Sequence, residues 1–427
     1  MAVRDSRISG FFRLTPVERL RKVAELVGLT EQEVATLQMT GSMGIDVADK
    51  LVENVISTLE MPLSVAPNFR VNGKDYLVPM AIEEPSVVAA CSNAARIARE
   101  GGGFRAYATE PLMYGQVQVI GVPDPNVARV EILSRKSEIL ELANTASQTL
   151  KSRGAGARDL QVREVPGLEG QVVVHLVVDV MDAMGANVIN TMCERVAPLI
   201  EEVTGGRVNL RILSNLTPLR TAYAWARFRK ELIGGEEVVN GVVEAWRFAQ
   251  MDIFRAATHN KGIMNGIDAV LVATLNDWRA AEANAHAYAA IGGYRSLTRY
   301  SVDSNGNLIG SIEVPLAVGV VGGTTGAVEK ARIARKILGA SDARELACIL
   351  ASVGLAQNFA ALRALADEGI QRGHMSLHAR NVAVTAGASP PEVDAVAKRL
   401  VEEGRISVSR AREILQEMRG GGSGNNK

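Results

Sequence analysis

The stretch from about residue 115 to 214 constrains the fold most, because there the hydrophobic periodicity switches between strand and helix in a fixed order. Gln116 to Val122 reads as a strand and Asn126 to Ser152 as a long helix. Asp159 to Val165 and Gln171 to Val180 read as two strands joined at Pro166-Gly167. Asn187 to Thr204 reads as a helix, and Arg207 to Leu213 as a last strand. This β-α-β-β-α-β order is the split βαβ, ferredoxin-like arrangement, with two helices on one face of an antiparallel sheet.

The flanking sequence follows a different pattern. Thr15-Pro16-Val17-Glu18 and Thr30-Glu31-Gln32-Glu33 are capping boxes, with Gly28 and Gly41 as stops. A third helix is expected from Asp46 to about Leu59, a strand over Tyr76 to Ile82, and an Ala-rich helix from Ser86 to Glu100. Further helices are expected over Glu236 to Met251, Asp277 to Ala290, Gly326 to Ile337 and Ala343 to Asp367. Strands near Tyr300 and over Leu308 to Val314 flank the turn Asn305-Gly306. After Ser389-Pro390-Pro391, two short helices precede a Gly/Ser/Asn-rich tail expected to be disordered. The expected class is therefore α+β. A large mixed α/β helical domain spans residues 1–112 and 216–370, the ferredoxin-like block is inserted at 113–215, and a small helical unit covers 371–427. With 47% hydrophobic and 22% charged residues, the chain of 427 residues can bury a core of that size.

Charge excludes some functions. Lys+Arg and Asp+Glu both number 47, so bulk attraction to nucleic acid or to an anionic membrane is not expected. Cys91, Cys193 and Cys348 are widely spaced and form no CxxC pair, which points away from disulfides and structural zinc and toward a reducing cytoplasm. The N-terminal segment lacks the apolar region of a secretory signal, and no uninterrupted apolar run suggests a membrane span.

The common phosphate-binding fingerprints are absent. Gly154-Ala-Gly156 has Asp159 where a third glycine belongs, Gly319-Val-Val-Gly322-Gly323 has the wrong spacing, and no Walker pattern occurs. The strand-to-helix turn Asp182-Ala-Met184-Gly185-Ala-Asn187 is a better anion site, since free backbone N–H groups and the helix dipole meet there. The competing reading is a strand-to-helix turn with Asn187 as an ordinary cap. Ala257 to Asp268 is polar and Gly-containing, set between helical stretches, and reads as a solvated loop or as a segment presenting Lys261 to an oxyanion. Asp277 follows sixteen positions later, roughly 24 Å along a continuous helix, so the two meet only if the chain bends near Thr274 to Asn276. Glu83-Glu84-Pro85-Ser86 places two carboxylates at a helix start. His374 and His378 are spaced i, i+4, but Met375 replaces the glutamate of H-E-x-x-H and no third ligand is evident, so no metal is expected. A single histidine acting as proton donor is the stronger reading there. His175 reads as a core or interface residue; His259 and His286 are ambiguous.

Taken together, the segments resemble hydroxymethylglutaryl-CoA reductase of the bacterial and archaeal class II type, from about Leu14 to Met418. The likeness rests on Glu53-Asn-Val-Ile56, Glu83-Glu-Pro-Ser86, Asp182 to Asn187, Arg255-Ala-Ala-Thr-His-Asn-Lys261-Gly, Asn276-Asp-Trp-Arg279, Val321-Gly-Gly323 and Gly373-His-Met375 in that order. It implies reduction of 3-hydroxy-3-methylglutaryl-CoA to mevalonate and coenzyme A by two hydride transfers, or the reverse reaction. By motif match, Lys261 resembles the oxyanion-stabilising lysine and Glu84 the proton donor at the aldehyde stage. Asp277 resembles the carboxylate that tunes them, and His374 the acid that protonates the departing thiolate. Ser86, Arg255 and Asn265 match substrate contacts. Ser147, Asp182, Met184, Gly185, Asn187 and Asn215 match the dinucleotide side, which makes the inserted domain the cofactor domain. The resemblance further implies a homodimer with shared active sites and a C-terminal flap carrying His374.

The chain departs from that pattern at Ser57, where glycine is usual, and at Thr324, where a smaller residue is common. Asn144-Thr145-Ala146-Ser147 lacks the aspartate that NADH-using relatives carry, and a carboxylate there would repel a ribose 2′-phosphate. NADPH is therefore the expected cofactor, with NADH the second candidate. Two other readings compete: a non-catalytic small-molecule-binding regulator built on a ferredoxin-like domain, and a CoA-thioester lyase that needs no nicotinamide.

Overall fold

The computed structural model describes residues 3, 5–41, 43–322, 328–367 and 370–420, with 370–377 and 420 described by backbone alone. The capping boxes open helices as their sequences dictate. In α1 (Pro16–Val27) and α2 (Glu31–Gln38), Thr15 and Thr30 each accept from the third helical N–H while the glutamate reaches back. The third helix, α3 (Ile45–Leu51), is shorter than expected; the chain from Val52 runs without regular structure to β1 (Leu63–Val71). β1 pairs antiparallel with β2 (Lys74–Ala81) across a bulge between Ala66 and Phe69. Then come α4 (Val87–Glu100) and β3 (Arg105–Ala108).

The inserted block has β4 (Leu112–Ile120), α5 (Pro125–Ser134), α6 (Lys136–Asn144), α7 (Gln148–Ser152), β5 (Gly156–Arg163), β6 (Gln171–Asp179), α8 (Ala186–Thr204) and β7 (Arg207–Leu213). Its sheet order is β5-β6-β4-β7, antiparallel throughout, as the split βαβ arrangement requires. The single helix expected over 126–152 is three helices. Asn144 bridges both ways to Ala157 of β5, at 2.8 and 3.1 Å, which ends α6, and Ser147 then caps α7. The block has its own core of Val117, Leu176, Ile189 and Val196 and their neighbours.

The chain continues with β8 (Thr221–Phe228), α9 (Lys230–Ile233), α10 (Glu236–Met251), α11 (Ile253–Thr274), α12 (Trp278–Ala289), β9 (Thr298–Val302), β10 (Leu308–Pro315), α13 (Glu329–Leu338) and α14 (Ala343–Ala366). The helices α15 (Ile370–Thr385), α16 (Pro390–Glu402) and α17 (Val408–Gly420) close the chain. The sheet β3-β8-β10-β9 turns Ala222, Ala224, Ala226 and Phe228 inward, and these small side chains let α14 approach. α14 is long and apolar enough to cross a membrane, but it is buried along most of its length as the central core helix.

The largest correction concerns residues 257–268, which belong to the continuous helix α11 and not to a loop. Asp252 caps it at the Arg255 N–H (2.7 Å). Its polar residues misled the periodicity because two of them are core residues. His259 and Asn260 are buried and bonded to Ser296, Thr298, Asn358 and the backbone of Arg295 and Leu297. Gly266 is a close-approach position: a Cβ there would lie 2.9 Å from Cβ of Gln357 on α14. β1, β3, β8 and α15 were also not anticipated. Gly323 and Thr324, the first residues of the helix expected from Gly326, and the tail from residue 421 lie outside the described residues.

Candidate active site

α11 and the β2–α4 connection bring together residues far apart in the chain. Lys261 Nζ lies 3.0 Å from Glu84 Oε2, and Asn265 Nδ2 donates to the same oxygen at 3.4 Å. Lys261 and Asn265 are four apart on one helix face, so both reach the same carboxylate. The pair is open: the side chains of Lys261 and Glu84 are 60% and 45% exposed. Beside them Ser86 holds φ +77°, an uncommon conformation for serine, and its buried hydroxyl has no partner among the described residues. A strained residue with an unsatisfied hydroxyl next to an ion pair is typical of a site built for a ligand.

Arg255 adds a partly buried cation. Among the described residues its guanidinium has no hydrogen-bonding or ionic partner, and burial lowers its pKa. The chain does bend after α11, through Leu275 at φ +52°, and α12 begins at once. Asp277 nevertheless does not meet Lys261 or Glu84: its carboxylate caps α12 at the Ala280 N–H (3.0 Å) and lies 3.4 Å from Arg279. His374 falls within α15, with its side chain outside the described residues.

The Asp182–Asn187 turn leads from β6 into α8. Gly185 has φ +105° and sits against Val180, where a Cβ would lie 2.6 Å from Cγ1. No side chain caps α8, so its first N–H groups are open to an anion. Asn187 is exposed on the first turn. The Asp182 carboxylate accepts from the Ala343 N–H at 3.0 Å, tying the turn to the start of α14. Arg220, 5% exposed, donates to the carbonyls of Ala183 and Met184 (both 3.1 Å) and of Val318. Ser147 accepts from Leu150 N–H at the start of α7, and Arg195 bonds the neighbouring Thr145. Asn215 is exposed in the bend after β7.

The family model described as hydroxymethylglutaryl-coenzyme A reductase matches residues 15–379. The chain belongs to the hydroxymethylglutaryl-coenzyme A reductase family. It is 57% identical over 416 residues to the 3-hydroxy-3-methylglutaryl-coenzyme A reductase of Archaeoglobus fulgidus, covering 97% of this chain and 95% of the relative. The Streptococcus pneumoniae 3-hydroxy-3-methylglutaryl-coenzyme A reductase superposes with a TM-score of 0.83 at 41% identity, covering 96% of this chain and 99% of that one. A second structure, of the class II enzyme from S. pneumoniae bound to NADPH in open conformations, gives 0.80 at 42% identity, covering 95% of this chain and 100% of that one.

Membership in a reductase family makes the chain an oxidoreductase and excludes the regulator and lyase readings. A concavity of about 890 Å³ lies away from Lys261. It lies over the outer face of β8 and β10, between Tyr223, Trp225 and Arg299. Two histidines are structural. Burial lowers the pKa of His175 to about 4 and that of His259 to about 3, with Arg163 and Arg255 adding to the respective effects. Arg220, Asp268 and Glu282 were missed in the sequence. Asp268 stands two turns after Lys261, a signal visible only once residues 257–268 are known to be helical.

Proposed function

We propose that the chain reduces 3-hydroxy-3-methylglutaryl-CoA to mevalonate and coenzyme A, or runs the reverse reaction in mevalonate catabolism. The observation that carries this reading is the convergence of Lys261, Asn265 and Glu84 on one oxygen at 3.0 and 3.4 Å. Reduction of a thioester carbonyl develops negative charge on its oxygen, and the Lys261 ammonium is the group that stabilises it. Glu84, held against that ammonium, delivers a proton to the oxygen at the aldehyde stage. Asn265 orients Glu84, while Ser86 and Arg255 bind the acyl part with a hydroxyl and a cation that have no partner among the described residues. Asp277 tunes the pair from the start of α12, where its Oδ1 meets the Ala280 N–H and Arg279. His374 protonates the departing thiolate, and the helical unit beginning at α15 acts as the flap that carries it.

The residues present fit NADPH. The uncapped start of α8 behind Gly185 suits a pyrophosphate, and the Asp182–Asn187 turn lines the nicotinamide side with Asp182, Met184 and Asn187. The Ser147 turn carries no carboxylate, and Arg195 and Lys151 stand near it to favour a 2′-phosphate; Asn215 completes that side. Bound NADPH supplies the hydrides. The likeness to the NADPH-bound pneumococcal enzyme supports this cofactor.

The active form is a homodimer with shared sites. Water must be kept from a thioester reduction, yet Glu84 and Lys261 are open in one chain. Ile56, Leu59, Met251 and Phe254 are exposed apolar side chains that a second copy would cover. The buried, unpaired cysteines suit a reducing cytoplasm. The decisive experiment follows reduced-nicotinamide absorbance with 3-hydroxy-3-methylglutaryl-CoA, using NADPH and NADH in parallel. Consumption with release of coenzyme A is expected; no consumption with either cofactor overturns the reading.

A further inference from the structure

We propose that Asp268 of α11 and Glu282 of α12 share a single proton behind Lys261 and act as a positioning pair that sets the charge this lysine faces. Asp268 lies seven residues after Lys261, so both project from nearly the same side of α11. Asp268 Oδ1 is buried and receives no hydrogen bond from any donor among the described residues. α12 packs against α11 and brings the Glu282 carboxyl, itself an acceptor when ionised, within reach of Asp268. Two ionised carboxylates in that position repel, and an orphaned buried oxygen costs free energy. One proton removes both problems, because Asp268 then donates to Glu282.

The surroundings decide which carboxyl keeps the proton. Burial, reinforced by the hydrogen bond and charge of Glu282, holds Asp268 far above the usual carboxylate range. Burial also opposes ionisation of Glu282, but hydrogen bonds to His286 and Asp268 and the charges of His286 and Lys261 outweigh it and hold Glu282 low. His286 Nε2 is 2.7 Å from Glu282, and its Nδ1 is 2.6 Å from the Tyr294 hydroxyl. The groups acting on the pair are thus Lys261 on α11, His286 on α12, Tyr294 beyond it, and Glu84 through Lys261. With the proton present, one negative charge stands behind Lys261. With it lost, two charges compete with the substrate alkoxide for the ammonium.

The proposal rests on Lys261 being the oxyanion cation, so its test has a readout independent of turnover. Infrared spectra of the full-length protein should show a neutral carboxylic acid band near neutral pH that disappears in alkali and is missing in Asp268→Asn. For activity, Asp268→Ala should lower kcat about tenfold while KM moves less than about threefold. Asp268→Asn, which keeps a neutral donor to Glu282, should recover most of that loss and abolish the alkaline fall in kcat. Glu282→Gln should shift that fall to lower pH. Absence of the band overturns the shared proton even if the chain is an active reductase. A wild-type pH profile in both Asp268→Asn and Glu282→Gln overturns the positioning role. The band present in a chain without reductase activity supports the pair while sinking the reading of Lys261.

Discussion

Lys261 is a cation whose neighbours come from two distant parts of the chain, and the chemistry depends on what each neighbour leaves free. Glu84 takes one ammonium hydrogen at 3.0 Å, and the ammonium carries two more for the substrate oxygen of the proposed reaction. Lys261→Ala should therefore lower kcat about 100- to 1,000-fold, the usual cost of losing one oxyanion donor, while the melting temperature stays near wild type because the residue is exposed. Steady-state kinetics beside a thermal melt check both halves. Ser147 carries a second residue-scale prediction. Its hydroxyl caps Leu150 at 3.3 Å, and aspartate would cap as well while bringing a negative charge toward a 2′-phosphate. Ser147→Asp should raise the kcat/KM ratio of NADH to NADPH by about tenfold or more. An unchanged ratio would place the ribose elsewhere.

Helices in this fold are held by specific contacts as much as by their periodicity. α11 and α14 pack through Gly266 and Gly354, where added Cβ atoms would lie 2.9 Å from Gln357 and Ile267. Gly266→Val overfills that contact and should destabilise by about 1–3 kcal/mol, read as a lower denaturation midpoint. The site would weaken with it, since Lys261 and Asn265 project from the same helix. α2 is docked on α13 by Glu33, which meets Lys336 at 2.6 Å and Arg332 at 3.4 Å and also closes the capping box of Thr30. The bond from Lys336 and the Thr30 N–H lower the Glu33 pKa from 4.5 to about 2. A depressed carboxyl pKa stabilises the fold above pH 4.5, and that contribution is lost as pH falls toward about 2. Glu33→Gln should be less stable than wild type at neutral pH, with the difference shrinking over that acid window in melts across pH.

At the scale of the whole molecule, the C-terminal helices form a core of their own, with Ala379, Val396, Leu400 and Ile414 packed together apart from the main core. A chain ending at residue 367 should keep the main melting transition within a few degrees, because it removes few contacts from α14. The same truncation removes His374 and should lower turnover by about 100-fold or more. Retained turnover would take the thiolate proton away from this unit. The inserted block is joined to the rest by Arg220, whose guanidinium bonds carbonyls of Ala183 and Met184 on one side and Val318 on the other. The turn from Asp182 to Asn187 is thereby fixed relative to the large core.

Much was legible in residue order. The capping boxes at Thr15 and Thr30 and the strand and helix order from Gln116 to Leu213 are local signals that survive folding because each is a short-range preference. Other features were hidden for physical reasons. α11 read as a loop because His259 and Asn260 find their partners on Ser296, Thr298 and Asn358, far along the chain. β8 was missed because its inward residues are alanines whose value lies in letting α14 approach. Asp277 was placed beside Lys261 by motif order, whereas the fold gives its carboxylate to the start of α12. Sequence alone determined the family, the element order of the inserted block and the residue types of the site. Tertiary structure decided which of them touch, because that depends on where packing against α14 sets each helix, a sum of contacts between residues too distant in the chain for any local pattern to record.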